Sequence, residues 1–220
     1  MSKILNPYKG KLTAEAVAKG FNAAIDNAVS LLEDAKILFE HNRFPTAASL
    51  AVLSIEESGK TRILRSLALV DDEAELKSLW QEYRSHRAKN GASIFLELAL
   101  GGARHLQDFR ETVNPKAEHT AVIDAIKQIG FYTDCSGNCH WSKPDEIIDA
   151  DLANWLIKTA EVLSKKGEHV TVKEIELWIQ HMKPHWKTEF AKSALIDWCK
   201  AMEAEGLKFD YVGKMEKFVN

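Results

Sequence analysis

Apolar residues recur along most of the chain at three- and four-residue steps, the period of a helix face, rather than in the alternation a half-buried strand needs. Thr13 with Glu15 opens the first tract. Ala16, Phe21, Ala24, Ile25, Ala28, Leu31, Leu32, Ala35 and Leu38 then predict one long amphipathic helix to about His41. Pro45 suits a first helical turn, and Ala47, Leu50, Leu53, Ile63, Leu64 and Leu67 carry a second helix to about Val70. The short connection Arg43-Phe44-Pro45 makes the two helices antiparallel neighbours. Asp71-Asp72 starts a third helix through Leu76, Leu79, Trp80 and Tyr83 toward Ala88, and shorter helices are expected near 93–100, 103–111 and 117–129. Residues 129–134 read as extended, and Cys135-Ser136-Gly137-Asn138-Cys139 as a turn-rich loop. A helix restarts beside Pro144 and reaches about Lys165. Thr171 and Glu174 stand at capping-box spacing ahead of another, which Pro184 stops, and a last helix spans about 185–204. The pattern predicts an all-α bundle, with a helical domain over 1–166 and a C-terminal helical extension over 167–220 packed on it.

Composition changes this picture little. With 220 residues, 45% hydrophobic and 28% charged, the chain is globular rather than disordered or fibrous. Lys plus Arg number 29 against 32 Asp plus Glu, a formal charge of −3, which excludes a polybasic nucleic-acid coat but leaves room for a local basic site. Residues 1–6 lack the charged and apolar segments of a secretory signal, and the longest uncharged apolar stretch, 44–55, is well short of the ~20 residues a membrane span needs. Three cysteines without a scaffold spacing fit a reducing compartment, so the expectation is a soluble cytoplasmic protein that engages no membrane. Cys135, Cys139 and His140 suggest zinc, but no second Cys/His pair of matching spacing completes a four-ligand site; the expectation is no metal and no cofactor. His181 and His185 have metal-pair spacing with Pro184 between them, and none of the 8 histidines has the Glu three residues before it that a di-iron bundle requires. Trp141, Trp155, Trp178, Trp186 and Trp198 are expected in the core or at an interface.

Two strings break the apolar pattern. On the second helix the stripe Leu50, Leu53, Leu64, Leu67 passes through Glu57 and Lys60 by helical steps, so charges point near the core. In Glu56-Glu57-Ser58-Gly59-Lys60 either carboxylate can reach the ammonium, and Gly59 permits close approach by a backbone or ligand at a cost of about 1 kcal/mol against Ala. The other string is Tyr83-Arg84-Ser85-His86-Arg87-Ala88-Lys89-Asn90. On a continuous helix Arg84 and Arg87 share one face, and His86, Lys89 and Asn90 another. Histidine exchanges protons near neutral pH, while Arg and Lys hold phosphate and stabilise developing charge. Lys60, Arg62 and Arg65 join that patch if the second and third helices pack together.

The strings Asn27-Ala28-Val29-Ser30-Leu31-Leu32-Glu33-Asp34-Ala35, Ala48-Ser49-Leu50-Ala51-Val52-Leu53-Ser54-Ile55-Glu56-Glu57-Ser58-Gly59-Lys60, His86-Arg87-Ala88-Lys89, Gly130-Phe131-Tyr132-Thr133-Asp134 and Trp141-Ser142-Lys143-Pro144 resemble, in this order, the AbiV family of abortive-infection proteins over about residues 15–165. The resemblance implies a HEPN-like helical bundle, a bacterial anti-phage toxin that shuts down translation, ribonuclease activity, and a homodimer with its cleft between subunits. The Arg-x4-6-His spacing of HEPN ribonucleases is missing here, since no arginine stands five to seven residues before a histidine. The reading is then a metal-independent ribonuclease. His86 is its general base or acid, Arg84 and Lys89 are catalytic cations, and Glu57 with Lys60 orients the site from beneath, Glu56 being the alternative carboxylate. Arg87, Arg62, Arg65 and Asn90 hold RNA, ribosomal or transfer, and a phage-encoded activator or an inhibitory partner controls the toxin. The competing reading is a non-catalytic module that binds a protein partner with the same basic edge; a third takes Glu57 and Lys60 as an internal pair that fixes helix register.

Overall fold

The computed structural model describes residues 6–114, 116–136, 138–164 and 169–220. The expected boundary between 166 and 167, and the end of the preceding helix near Lys165, lie outside the described residues. In chain order the elements are α1 (Ala14–Glu40), α2 (Phe44–Leu67), α3 (Glu73–Arg84), α4 (His86–Lys89), a 3-10 turn (Asn90–Ile94), α5 (Phe95–Leu100), a 3-10 segment (Leu106–Val113) and α6 (Glu118–Phe131). A hairpin of β1 (Asp134–Ser136) and β2 (His140–Ser142) follows, then α7 (Pro144–Ile147), α8 (Ala150–Ser164), α9 (Val172–Met182), a 3-10 turn (Lys183–His185), α10 (Ala191–Ala204) and α11 (Val212–Val219). The expected all-α class stands, with the two short strands its only sheet among the described residues.

The first two helices form as the periodicity demands. Thr13 Oγ1 accepts from Ala16 N at 3.1 Å to cap α1. The chain reverses through Asn42, whose φ of 56° is one that asparagine tolerates, and Pro45 starts α2. Small residues let α2 lie deep. Ala47, Ala48, Ala51 and Val52 are fully buried, and Ser54 Oγ donates to Ala28 O at 2.7 Å across the α1–α2 contact.

Along α2, Ala48, Ala51, Val52 and Ile55 enter one cluster with Leu32, Ile123, Ile148 and Leu156, while Ile63, Leu64 and Leu67 enter another with Val17, Phe21, Trp80 and Ile175. Each full burial of an Ile or Leu contributes about 1.5–3 kcal/mol, so the two clusters fix α2 at both ends. The turn between them, residues 56–60, carries the polar string. Because α2 is covered nearly all round, the Leu50–Leu53 stripe does not define its inner face: both are half-buried, and the deeper positions are Val52, Ile55 and Glu56.

Several expected boundaries move. The third helix ends at Arg84 rather than near Ala88, because Ser85 is extended (φ −80°, ψ 126°) and its Oγ accepts from Ala88 N at 3.3 Å, capping a new turn. Residues 129–131 are helical, not extended. In place of the α-helix expected over 103–111 stands a 3-10 segment that begins only at Leu106, and the expected helix from Pro144 is split between α7 and α8. The loop around Cys135 and Cys139 is a hairpin in which Cys135 faces Trp141. Trp141 is largely exposed, unlike Trp178 and Trp198, which pack into the C-terminal clusters. The capping box forms as expected, Thr171 N donating to Glu174 Oε2 at 2.6 Å and Glu174 N to Thr171 Oγ1 at 3.2 Å. The last long helix starts at Ala191, and α11 follows it.

Contacts tie the C-terminal helices to α1 and α2. Asn22 exchanges two hydrogen bonds with the backbone of Val170 at 2.9 and 2.8 Å, Ile175 is buried against α1, and Trp178 Nε1 donates to Arg65 O at 3.1 Å.

Candidate functional site

Glycine sets the site's geometry. A Cβ on Gly59 would lie 2.1 Å from Lys89 O, so only glycine lets α4 rest directly on the middle of α2. Likewise a Cβ on Gly130 would lie 2.1 Å from Ser49 Oγ and 2.6 Å from Pro45 O. There α6 closes on α2 from another side, with Ser49 Oγ donating to Lys127 O at 3.1 Å. These two approaches bring His86, Lys89, Asn90 and Lys127 around one carboxylate, Glu56.

Glu56 is 2% exposed. Lys127 Nζ donates to its Oε1 at 2.6 Å and also pairs with Asp124 at 2.9 Å. His86 Nδ1 lies 2.7 Å from Glu56 Oε2, Lys89 Nζ stands 3.6 Å from the same oxygen, and Asn90 Nδ2 donates weakly to Oε1 at 3.5 Å. A carboxylate this deep requires such partners to offset its lost hydration. Burial pulls the Lys89 ammonium below its ordinary value, opposed by Glu56 and assisted by Lys60. For Lys127 burial pulls the same way, but its hydrogen bonds to Glu56 and Asp124 prevail and hold it above the ordinary range.

The carboxylate beneath His86 is thus Glu56. Glu57, given that place by the apolar stripe, instead pairs sideways with Lys60 at 2.6 and 2.7 Å, and Lys60 also lies over the Tyr83 ring at 5.4 Å. Arg84 is a second correction. The break at Ser85 separates it from His86, and its guanidinium stacks on Trp80 at 5.0 Å and donates to Trp80 O and Tyr8 O. Arg87 is exposed on the His86 turn. Burial lowers the Arg62 pKa, against Glu82 at 3.8 Å, and the side chain reaches Ala88 O at 3.5 Å. Arg65 lies among Phe21, Trp178 and Trp198 rather than with His86. Asn90, read as an RNA contact, is fully buried and serves Glu56. Lys127 was not expected. The signal for it is its place with Ile123 and Gly130 on the buried face of α6.

Chemically, a buried carboxylate on Nδ1 fixes the ring and selects the tautomer that leaves Nε2 as proton acceptor; the His86 side chain is 54% exposed, so that nitrogen is open to a substrate. Glu56, His86 and Asp124 bring ligand atoms within 4.8 Å of one another, a donor set a divalent cation could use. The Lys127 ammonium already bridges its two carboxylates and, with Lys89 3.6 Å from Glu56, balances their charge, which opposes a further cation.

The site sits on an antiparallel helix pair whose buried Glu56 seats the His86–Lys89 turn, and the family that matches this chain is a HEPN-type one. The model of the AbiV family matches residues 16–165, and the chain belongs to that family, whose membership carries an abortive-infection type of role. No curated protein and no solved structure matches the chain significantly. Among the described residues no helix is long and apolar enough to cross a membrane.

Proposed function

We propose that this chain is an anti-phage toxin of the cytoplasm, a metal-independent endoribonuclease that shuts down translation in the infected cell. One observation carries the reading: His86 Nδ1 sits 2.7 Å from the buried Glu56 while the rest of the ring is exposed. In the reaction His86 Nε2 takes the proton of an RNA 2′-hydroxyl, the 2′-oxygen bonds to the adjacent phosphorus, the P–O5′ bond breaks, the departing oxygen takes a proton from solvent water, and the imidazolium returns its proton to solvent. Arg87 and Lys60 hold the phosphate from the rim, and Glu56 stabilises the imidazolium that forms. A homodimer that opposes two such edges supplies a positive cleft from mildly acidic chains, acting on ribosomal or transfer RNA under a phage-encoded activator or inhibitory partner. Support for the dimer is the AbiV membership.

The second reading, a non-catalytic module that captures a protein, is favoured by the engagement of Arg84 with Trp80 and Tyr8, which leaves fewer cations beside His86. Incubating purified protein with total RNA in EDTA separates the two. Fragments that vanish in His86→Ala support the nuclease; intact RNA together with stable capture of one protein from infected lysate supports the module.

A further inference from the structure

Where α6 gives way to the hairpin, four large apolar side chains stand in solvent within 17 positions: Phe131, Tyr132, Trp141 and Ile147, out of 13 so exposed among the described residues. The segment holds together without its outer rings. Ile148, 1% exposed, packs beside Gly130, and Ser142 Oγ accepts from Asp134 N and donates to Asp134 O, each at 3.1 Å. Tyr132 and Trp141, by contrast, are 64% and 65% exposed. Grouped exposure of this kind marks an interaction surface. Among the described residues β1 and β2 pair only with each other, so the outer edge of each strand keeps unpaired N–H and C=O groups.

Charge selects the occupant. Residues 131–151 carry five carboxylates, Asp134, Asp145, Glu146, Asp149 and Asp151, against one lysine, Lys143. Lys143 is taken up by Glu146 at 3.1 Å, Asp149 accepts from Leu152 N at 2.9 Å, and the adjoining α1–α2 turn adds one charge of each sign, Glu40 and Arg43. An RNA strand would bring phosphates to this acidic end, and a second copy would set the same carboxylates against each other. A cationic chain meets neither obstacle.

We infer that this hairpin end docks a lysine- and arginine-rich extended segment of another protein. The segment adds as a strand to an open hairpin edge, its backbone meeting the unpaired N–H and C=O groups. Its alternate side chains fall on one face, where cationic groups lie over Trp141 and Tyr132 and pair with Asp134 and Asp145. Neither His86 nor RNA cleavage enters this docking.

Fluorescence anisotropy of the purified full chain with a labelled peptide of about eight residues, alternating Arg and Val, tests it. The peptide binds saturably. A Glu–Val alternation, and an Arg–Pro alternation that cannot donate to a strand edge, bind weaker by about tenfold or more. Trp141→Ser weakens the Arg–Val peptide by about tenfold, Asp134→Asn combined with Asp145→Asn does the same, and His86→Ala binds as the parent does. No saturable binding, an Arg–Pro peptide equal to Arg–Val, or unchanged binding by folded Trp141→Ser overturns the inference. So does a Trp141→Ser protein that loses affinity for a single-stranded RNA oligomer, which assigns the end to nucleic acid, or that loses a concentration-dependent dimer in sedimentation, which assigns it to a second copy. Melting curves establish folding; should Trp141→Ser be unfolded, Tyr132→Ser decides by the same readings.

Discussion

His86 and Glu56 are joined at 2.7 Å although 30 residues separate them, one ring half in solvent and one carboxylate 2% exposed. The pair depends on Lys127 at the other carboxylate oxygen and on Lys89 near the oxygen that faces the ring, which together offset the buried charge of Glu56. Glu56→Gln therefore removes the orienting charge, strands the buried Lys89 ammonium and leaves Lys127 with Asp124 alone. The expected outcome is a loss of about 3–5 kcal/mol in chemical denaturation. Adding Lys127→Met to Glu56→Gln should restore part of that loss, giving a double variant more stable than the sum of the single effects predicts.

Gly59→Ala should destabilise, against the ordinary helix preference for alanine. The added methyl would meet Lys89 O at 2.1 Å, and the forced displacement of α4 costs about 1–3 kcal/mol. Gly20→Ala, whose methyl would touch only Leu64 at 3.6 Å, should instead stabilise by about 0.4–1 kcal/mol. Paired urea melts of the two variants should move in opposite directions.

Arg84 and Arg87 should divide stability from RNA contact. Arg84→Gln loses the stack on Trp80 and the bond to Tyr8 O, so its melting temperature falls while RNA affinity per folded molecule holds. Arg87→Gln, at an exposed position, should leave melting unchanged within about 0.5 kcal/mol and reduce the salt dependence of RNA binding.

Acid should loosen the tie between the α2–α3 connection and the C-terminal helices. Hydrogen bonds from Lys11 and Lys183 lower the Asp71 carboxyl from its ordinary 3.8 to about 2. A carboxylate whose folded value lies below its unfolded one stabilises the fold above the unfolded value, and that contribution is lost as pH falls through the folded value. Between pH 4 and about 2 the parent should lose more stability than Asp71→Asn, and above that window the parent should be the more stable.

The sequence discloses features whose signal is local. Thr171 and Glu174 announce their helix start because a capping box is closed within four residues, and the α1–α2 pair follows from period and Pro45. Gly59 is legible as a place of close approach, though not as the seat of Lys89. Choosing between Glu56 and Glu57 fails because a helix buried on every side has no single stripe to read. The continuous helix drawn through Arg84 and His86 fails because Ser85 is a cap, and a serine inside an apparently helical run gives only a weak sign of one. Lys127 reaches Glu56 across 71 positions, a relation that only tertiary packing reveals.

As proposed, the Glu56–His86 pair cuts RNA without a metal. Its most direct measurement is cleavage of purified total RNA in EDTA by the parent and by His86→Ala, each shown folded by its melting curve. Parent fragments should persist in EDTA, and the rate should be about 10²–10⁴ lower for His86→Ala. Cleavage by folded His86→Ala at the parent rate, or parent activity that EDTA abolishes, would contradict it.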